Sequence, residues 1–146
     1  MSLTGLTLNT LPLLDLEVPD ENQAIQRTAE LLKSEPAIID FHGFVTAVFD
    51  RQKINPPILD NGVALPHART RLTREIVFVA ARCAGPVAFG PDARPVRLVF
   101  LFGIPPHRIS EYLGMTALLV KRLRDPETLH GLLTAETVQK FTALLE

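Results

Sequence analysis

Nine consecutive residues, Val96-Arg97-Leu98-Val99-Phe100-Leu101-Phe102-Gly103-Ile104, constrain the fold of this chain more than any other stretch. Aromatic and aliphatic side chains follow one another here without the alternation of a half-buried strand, so both faces of the run need cover. Gly90-Pro91-Asp92 before it and Pro105-Pro106 after it are turn signals that bound a strand of ordinary length. The run therefore predicts a central strand in an α/β layer fold, a mixed β-sheet flanked by helices on both faces. Glu75 to Arg82, EIVFVAAR, reads as a second strand, with Gly85-Pro86 punctuating the interval between the two.

The flanking elements follow from local signals. After a loose, leucine-rich start from residue 3, a short strand is expected around Leu14 to Val18. Asp20 with Gln23 forms a capping box behind Pro19, which predicts a helix to about Ser34 with Ile25, Ala29 and Leu32 on its apolar stripe. Pro36 ends that helix, and Asp40 caps a second one that carries Phe41, Phe44, Val45, Val48 and Phe49 and closes at Asp50-Arg51-Gln52-Lys53. Asn55-Pro56-Pro57 is a rigid turn, and Ile58-Leu59 leads through an Asp60-Asn61-Gly62 turn to another apolar run. Beyond Pro105-Pro106 a helix is expected with Ile109, Leu113, Thr116, Ala117 and Val120 on one side, ending near Arg124. Pro126 and Thr134 mark the starts of two short helices, the last with Val138, Phe141 and Leu145. With no repeats in 146 residues, the chain is read as a single domain over 1–146.

Charge and composition exclude several functions. Fifteen Lys and Arg against sixteen Asp and Glu leave a formal charge of −1, without the basic excess of a nucleic-acid-binding domain. No apolar run reaches the length of a membrane span, and the N-terminus lacks the basic-then-apolar pattern of a signal peptide, so a cytoplasmic location without membrane insertion is expected. Cys83 has no partner for an internal disulfide, which agrees with a reducing compartment.

The chemistry concentrates in Asn61 to Arg71, NGVALPHARTR. Pro66 cannot donate to a sheet ladder, so His67 is expected at a strand terminus, where Arg69, Arg71 and Arg74 follow it in sequence. A histidine among cations suits an anion or a phosphoryl group. His42 and His130 read as solvated surface residues, His107 as a loop residue and Cys83 as a small apolar filler; a cysteine hydrolase built on Cys83 lacks any local signature. The histidines lack metal-ligand spacing and the single cysteine has no mate, so neither a metal nor a cofactor is expected.

GVALPHAR at 62–69, with FDRQKI at 49–54 before it and the VRLVFLFGIPP strand and YLGMTALLVKRLRDPE helix after it, resembles the type-2 enzyme IIA family of the bacterial sugar phosphotransferase system. Its members are fructose, mannitol and nitrogen-regulatory IIA domains. The resemblance implies that His67 accepts a phosphoryl group from the carrier HPr and passes it to a IIB domain. It also implies that Arg51 lies against His67 and that Arg69 helps to stabilise the phosphate. The chain departs from the family pattern at Gln52, where glutamate is usual, at Pro56-Pro57, where Ser-Thr is usual, and at Tyr112-Leu113, where a second active-site histidine precedes leucine. The resemblance then places Tyr112 at the second-histidine position, with His107 in the preceding loop as a substitute. Two readings follow: a nitrogen-regulatory-like phosphocarrier working with an HPr-like donor and a IIB domain or a regulatory target, or a regulatory protein-binding module with weak or no transfer. The absence of IIB- or IIC-like segments in these residues favours regulation over sugar transport.

Overall fold

The computed structural model describes residues 6–146, so residues 3–5 of the expected loose start lie outside the described part. In chain order the elements are β1 (Leu13–Leu16), α1 (Glu21–Ala29), α2 (Phe41–Gln52), β2 (Ile58–Leu59), β3 (Val63–Ala64), β4 (His67–Arg69), β5 (Val77–Phe89), β6 (Arg94–Ile104), α3 (Ile109–Leu123), α4 (Pro126–Thr134) and α5 (Val138–Ala143). Single 3-10 turns, Glu30–Leu32 and Pro106–Arg108, follow α1 and precede α3. The six strands make one mixed sheet in the order β1-β5-β6-β3-β2, with β4 also paired to β6.

β6 is the centre that its composition demanded. It runs antiparallel to β5 and parallel to both β3 and β4. Val99 and Leu101 face one core with Ile25 from α1, Leu32 from the 3-10 turn after it, and Phe44 and Val48 from α2. Leu98, Phe100, Phe102 and Ile104 face the other, with Leu119, Leu132 and Phe141 from α3, α4 and α5. Helices on both sides explain why the run shows no polar alternation. On the second face Phe78 stacks on Phe102 at 4.5 Å between centroids with 12° between ring planes. Such pairing adds about 0.5–1.5 kcal/mol beyond the area it buries.

Local capping starts the helices as read. Asp20 Oδ1 accepts from the Gln23 amide at 2.9 Å, and Asp40 Oδ1 accepts from the Gly43 amide at 3.1 Å. A cap of this kind is worth about 1 kcal/mol. The last helix starts differently from expectation: Thr134 ends α4, donating its hydroxyl to the His130 carbonyl, and Thr137 caps α5 by accepting from Lys140 N at 3.1 Å.

Two further expectations change. Gly85-Pro86 does not end a strand, because β5 continues to Phe89 and absorbs the pair in a bulge. Between the Arg82↔Leu98 and Val87↔Val96 pairs, five steps along β5 oppose two along β6. Arg97 Nε donates to the Cys83 carbonyl at 2.9 Å and so satisfies a group that the broken ladder leaves over. The inward face of α3 is Tyr112, Leu119 and Leu123, whereas Leu113 is 58% exposed. Apolar residues surround much of this helix, so spacing alone fits more than one face; docking on the β6 phenylalanines selects which one turns in.

Gly103 sets how closely α2 approaches the sheet. A Cβ there would lie 2.6 Å from Phe44 Cε1 and 2.8 Å from Val77 Cγ2, both on buried side chains. Gly103→Ala is expected to lower unfolding free energy by about 1–3 kcal/mol, the usual cost of overpacking a core. Urea unfolding checks this through a lower midpoint at an unchanged m value.

Candidate functional site

Pro66 separates β3 from β4, so His67 opens a strand instead of closing one. β4 is anchored in parallel register, His67↔Phe102 and Arg69↔Ile104, with Pro66 O accepting from Phe102 N at 3.1 Å and Ile104 O accepting from Thr70 N at 2.9 Å. Alternation along β4 sends Ala68 into the core under α1 and α2, and turns His67 and Arg69 to the α3 side.

Here His67 is half-buried, with its Nδ1 3.0 Å from the Leu65 carbonyl oxygen. A carbonyl only accepts, so Nδ1 carries the proton and Nε2 keeps its lone pair. Leu65 is itself fixed, its amide donating to Pro57 O at 2.9 Å. Burial holds the imidazole pKa below its ordinary 6.5; the Leu65 bond opposes the shift and the Arg51 charge adds to it. The neutral ring is therefore the main form at pH 7.

Tyr112, from the first turn of α3, packs against that ring with centroids 5.5 Å apart and planes at 36°. Its other side meets the Phe102 ring edge-on at 5.1 Å and 74°. The residue is 7% exposed, and burial pushes the phenol up to about 12 against the opposing pull of Arg51. Its hydroxyl stays protonated throughout the neutral range and cannot supply a positive charge.

Arg51 projects from the last turn of α2. Its Nη1 donates to the Ile54 carbonyl and, at 3.4 Å, to the Asn55 carbonyl. Asn55 sits in the left-handed region at φ +46, a conformation that asparagine tolerates better than most residues. This cation acts electrostatically on both His67 and Tyr112. Arg69 reaches from β4 to Pro106 O at 3.5 Å and so ties the strand to the loop before α3. Arg71 and Arg74 are exposed, and the ring's interactions come from Leu65, Tyr112 and Arg51. His107 is exposed on the 3-10 turn Pro106–Arg108.

Most of the α3 side expected from spacing faces a groove. Leu113, Thr116, Ala117 and Val120 line an open groove together with Pro57, Leu65, His67, Tyr112 and Arg124. Sequence reasoning missed Leu65, whose carbonyl selects the tautomer, and Phe102, which supports Tyr112. The Pro66 interruption and the uninterrupted β6 run were the signals available for them.

Residues 7–146 match the family described as "Phosphoenolpyruvate-dependent sugar phosphotransferase system, EIIA 2". The chain is 28% identical to the PTS system 2-O-alpha-mannosyl-D-glycerate-specific EIIABC component of Escherichia coli (strain K12), over 100% of this chain and 23% of that protein. It thus spans about a quarter of the length of that relative. The crystal structure of nitrogen regulatory protein IIA-Ntr from Neisseria meningitidis is similar at a TM-score of 0.88 and 26% identity, covering 99% of this chain and 100% of that one. Enzyme IIA mannitol of Escherichia coli, solved in complex with phosphorylated enzyme IIB mannitol, shares the fold at a TM-score of 0.76 and 19% identity over 99% of this chain and 96% of that one. Among the described residues no helix is long and apolar enough to cross a membrane. A match that runs from residue 7 to the last residue, on a mixed sheet with a histidine at the start of β4, places this chain in the EIIA 2 family of the phosphoenolpyruvate-dependent sugar phosphotransferase system.

Proposed function

We propose that this chain is a cytoplasmic phosphocarrier, in which His67 accepts a phosphoryl group from an HPr-like donor and hands it to a IIB domain or a regulatory target. The observation that carries the reading is the Nδ1 bond to the Leu65 carbonyl, which leaves Nε2 as the nucleophile at an open groove. In the transfer, the Nε2 lone pair forms the N–P bond as the donor's bond to phosphorus breaks, and the electron pair of that bond stays with the donor. The proton stays on Nδ1, hydrogen-bonded to the Leu65 carbonyl, throughout. Charge on the phosphoryl oxygens needs fixed cations and hydrogen-bond donors. In this reading Arg51 and Arg69 supply the positive charge and the Tyr112 hydroxyl donates, with His107 on the turn before α3 as a further donor. The likeness to IIA-Ntr favours a nitrogen-regulatory role over sugar transport.

Incubation with phosphoenolpyruvate, enzyme I and HPr tests the proposal. An acid-labile, base-stable mass increase of one phosphate is expected, and phosphorus–nitrogen coupling in NMR should assign it to Nε2. A folded protein that stays unmodified, or that carries the phosphate elsewhere, overturns the reading.

Tyr112 sets the pace in this scheme. A neutral phenol stabilises a dianionic phosphoryl group less than a cation does, since charge-assisted hydrogen bonds are roughly twice as strong as neutral ones. Tyr112→His is therefore expected to raise the rate of phosphoryl acceptance about tenfold, equivalent to about 1.4 kcal/mol of transition-state stabilisation. Quenched-flow measurement with phosphorylated HPr decides this, and an unchanged rate removes the residue from that role.

A further inference from the structure

Accepting His67 as the phosphoryl acceptor, we infer that Glu21 and Gln52 are positioning residues for it: they tie the last turn of α2 to the start of α1 and to the β5–β6 hairpin, and thereby hold Arg51 and the Asn55–Pro57 turn against the histidine.

Gln52 is the final residue of α2 and is 7% exposed, an unusual setting for a polar side chain. Its Nε2 donates to Glu21 Oε2 at 2.9 Å. The other carboxylate oxygen, Oε1, accepts from the Gly90 amide at 2.9 Å. One carboxylate thus joins three elements that are far apart in sequence. Gly90 has φ +76, and a Cβ there would lie 3.2 Å from Ile58 Cδ1, so the hairpin sits tightly on the start of β2.

The neighbouring residue on the same helical turn is Arg51, which binds the Ile54 and Asn55 carbonyls. The Pro57 carbonyl accepts from Leu65 N, and Leu65 O accepts a hydrogen bond from His67 Nδ1. From the Gly90 amide to the imidazole, short covalent steps and hydrogen bonds form a continuous chain.

Packing cannot take over this task. Glu21, Gln52, Asn55, Pro56 and Gly90 border a cavity of about 500 Å³, so the end of α2 has open space on that side. The ion pair there, Lys53 to Asp50 at 3.9 Å, joins groups that are 78% and 69% exposed and holds the turn only weakly. Without the amide–carboxylate bond, the last turn frays and Arg51 moves with it.

The variants separate this role from a merely structural one. Gln52→Leu removes the bond without adding charge. Its turnover with saturating phosphorylated HPr should fall about ten- to a hundredfold, the scale of an ångström-sized misplacement. In the same variant, unphosphorylated, the His67 titration followed by imidazole NMR should move up toward 6.5 as the Arg51 charge recedes. The double exchange Glu21→Gln, Gln52→Glu rebuilds the same bond in the opposite direction and keeps the net charge. It should restore both the titration and the rate, whereas Gln52→Glu alone should not. An unmoved His67 titration in folded Gln52→Leu overturns the inference, as does failure of the exchange to rescue. If Gln52→Leu does not fold, the exchange set against Gln52→Glu gives the same decision. Because the titration is read without phosphate, a parent protein that takes up none counts against the acceptor reading alone.

Discussion

His67→Ala is expected to abolish phosphoryl uptake from HPr while leaving the fold in place. In the proposed transfer the imidazole is the nucleophile, so its removal leaves no partial route: Tyr112 remains an un-ionised phenol, and Arg51 and Arg69 have no lone pair to offer. The residue is half-buried at the start of β4, and β4 is held to β6 by backbone bonds, so truncation should cost little stability. Mass spectrometry after incubation with the donor system, beside a thermal melt, checks both halves. The parent's acid limb offers a second measure. Burial and Arg51 depress the imidazole pKa, so acceptance should hold as pH falls through 6.5 and decline only below it. The same sign applies to stability. The folded state takes up the His67 proton less readily than the unfolded chain does, so this contribution is complete above 6.5 and is lost as pH drops beneath it. A limb at or above 6.5 would contradict the buried, Arg51-facing geometry.

Phe102→Ala should cost the most stability of any change near the site, about 3–5 kcal/mol. The ring is fully buried, stacks on Phe78 and supports Tyr112 edge-on, so its loss leaves a void between β6 and α3. For a domain of this size the loss corresponds to a fall in Tm of roughly 6–20 °C. Phe102 is also the register partner of His67 and lies beneath Tyr112, so the substitution should disorder the site before the whole domain melts. Denaturant unfolding, with imidazole NMR of His67 in the native baseline, separates the two effects. A ΔΔG under 1 kcal/mol would mean that α3 collapses onto β6 and fills the space.

Much of the fold was legible because its signals are short-ranged. Asp20 and Asp40 cap their helices through amides three residues away, and β6 declared its central place by lacking polar alternation. Errors arose where a local signal competed with a distant partner. Gly85-Pro86 is a turn signal in isolation, but the β6 ladder and the Arg97 bond to Cys83 O carry β5 past it. Thr134 and Thr137 are both plausible caps; the extended backbone at Thr137 decides between them. The site was half legible. His67 was singled out by its setting behind Pro66, and Arg51 and Tyr112 by resemblance, yet the cluster of arginines that follows His67 in sequence supplies at most Arg69.

The sequence by itself determined where the helices begin, which strand lies at the centre and which histidine stands behind a strand-breaking proline, since these depend on side chains within a few residues of one another. Only the tertiary structure decided which face of α3 turns inward, which arginine's field reaches the imidazole and which ring nitrogen a backbone carbonyl holds. The physical reason is that each of those depends on contacts between segments distant in the chain. In NGVALPHARTR the proline is local information, whereas the carbonyl that holds Nδ1 acts as it does only because Leu65 is bonded to Pro57 and β4 lies on β6.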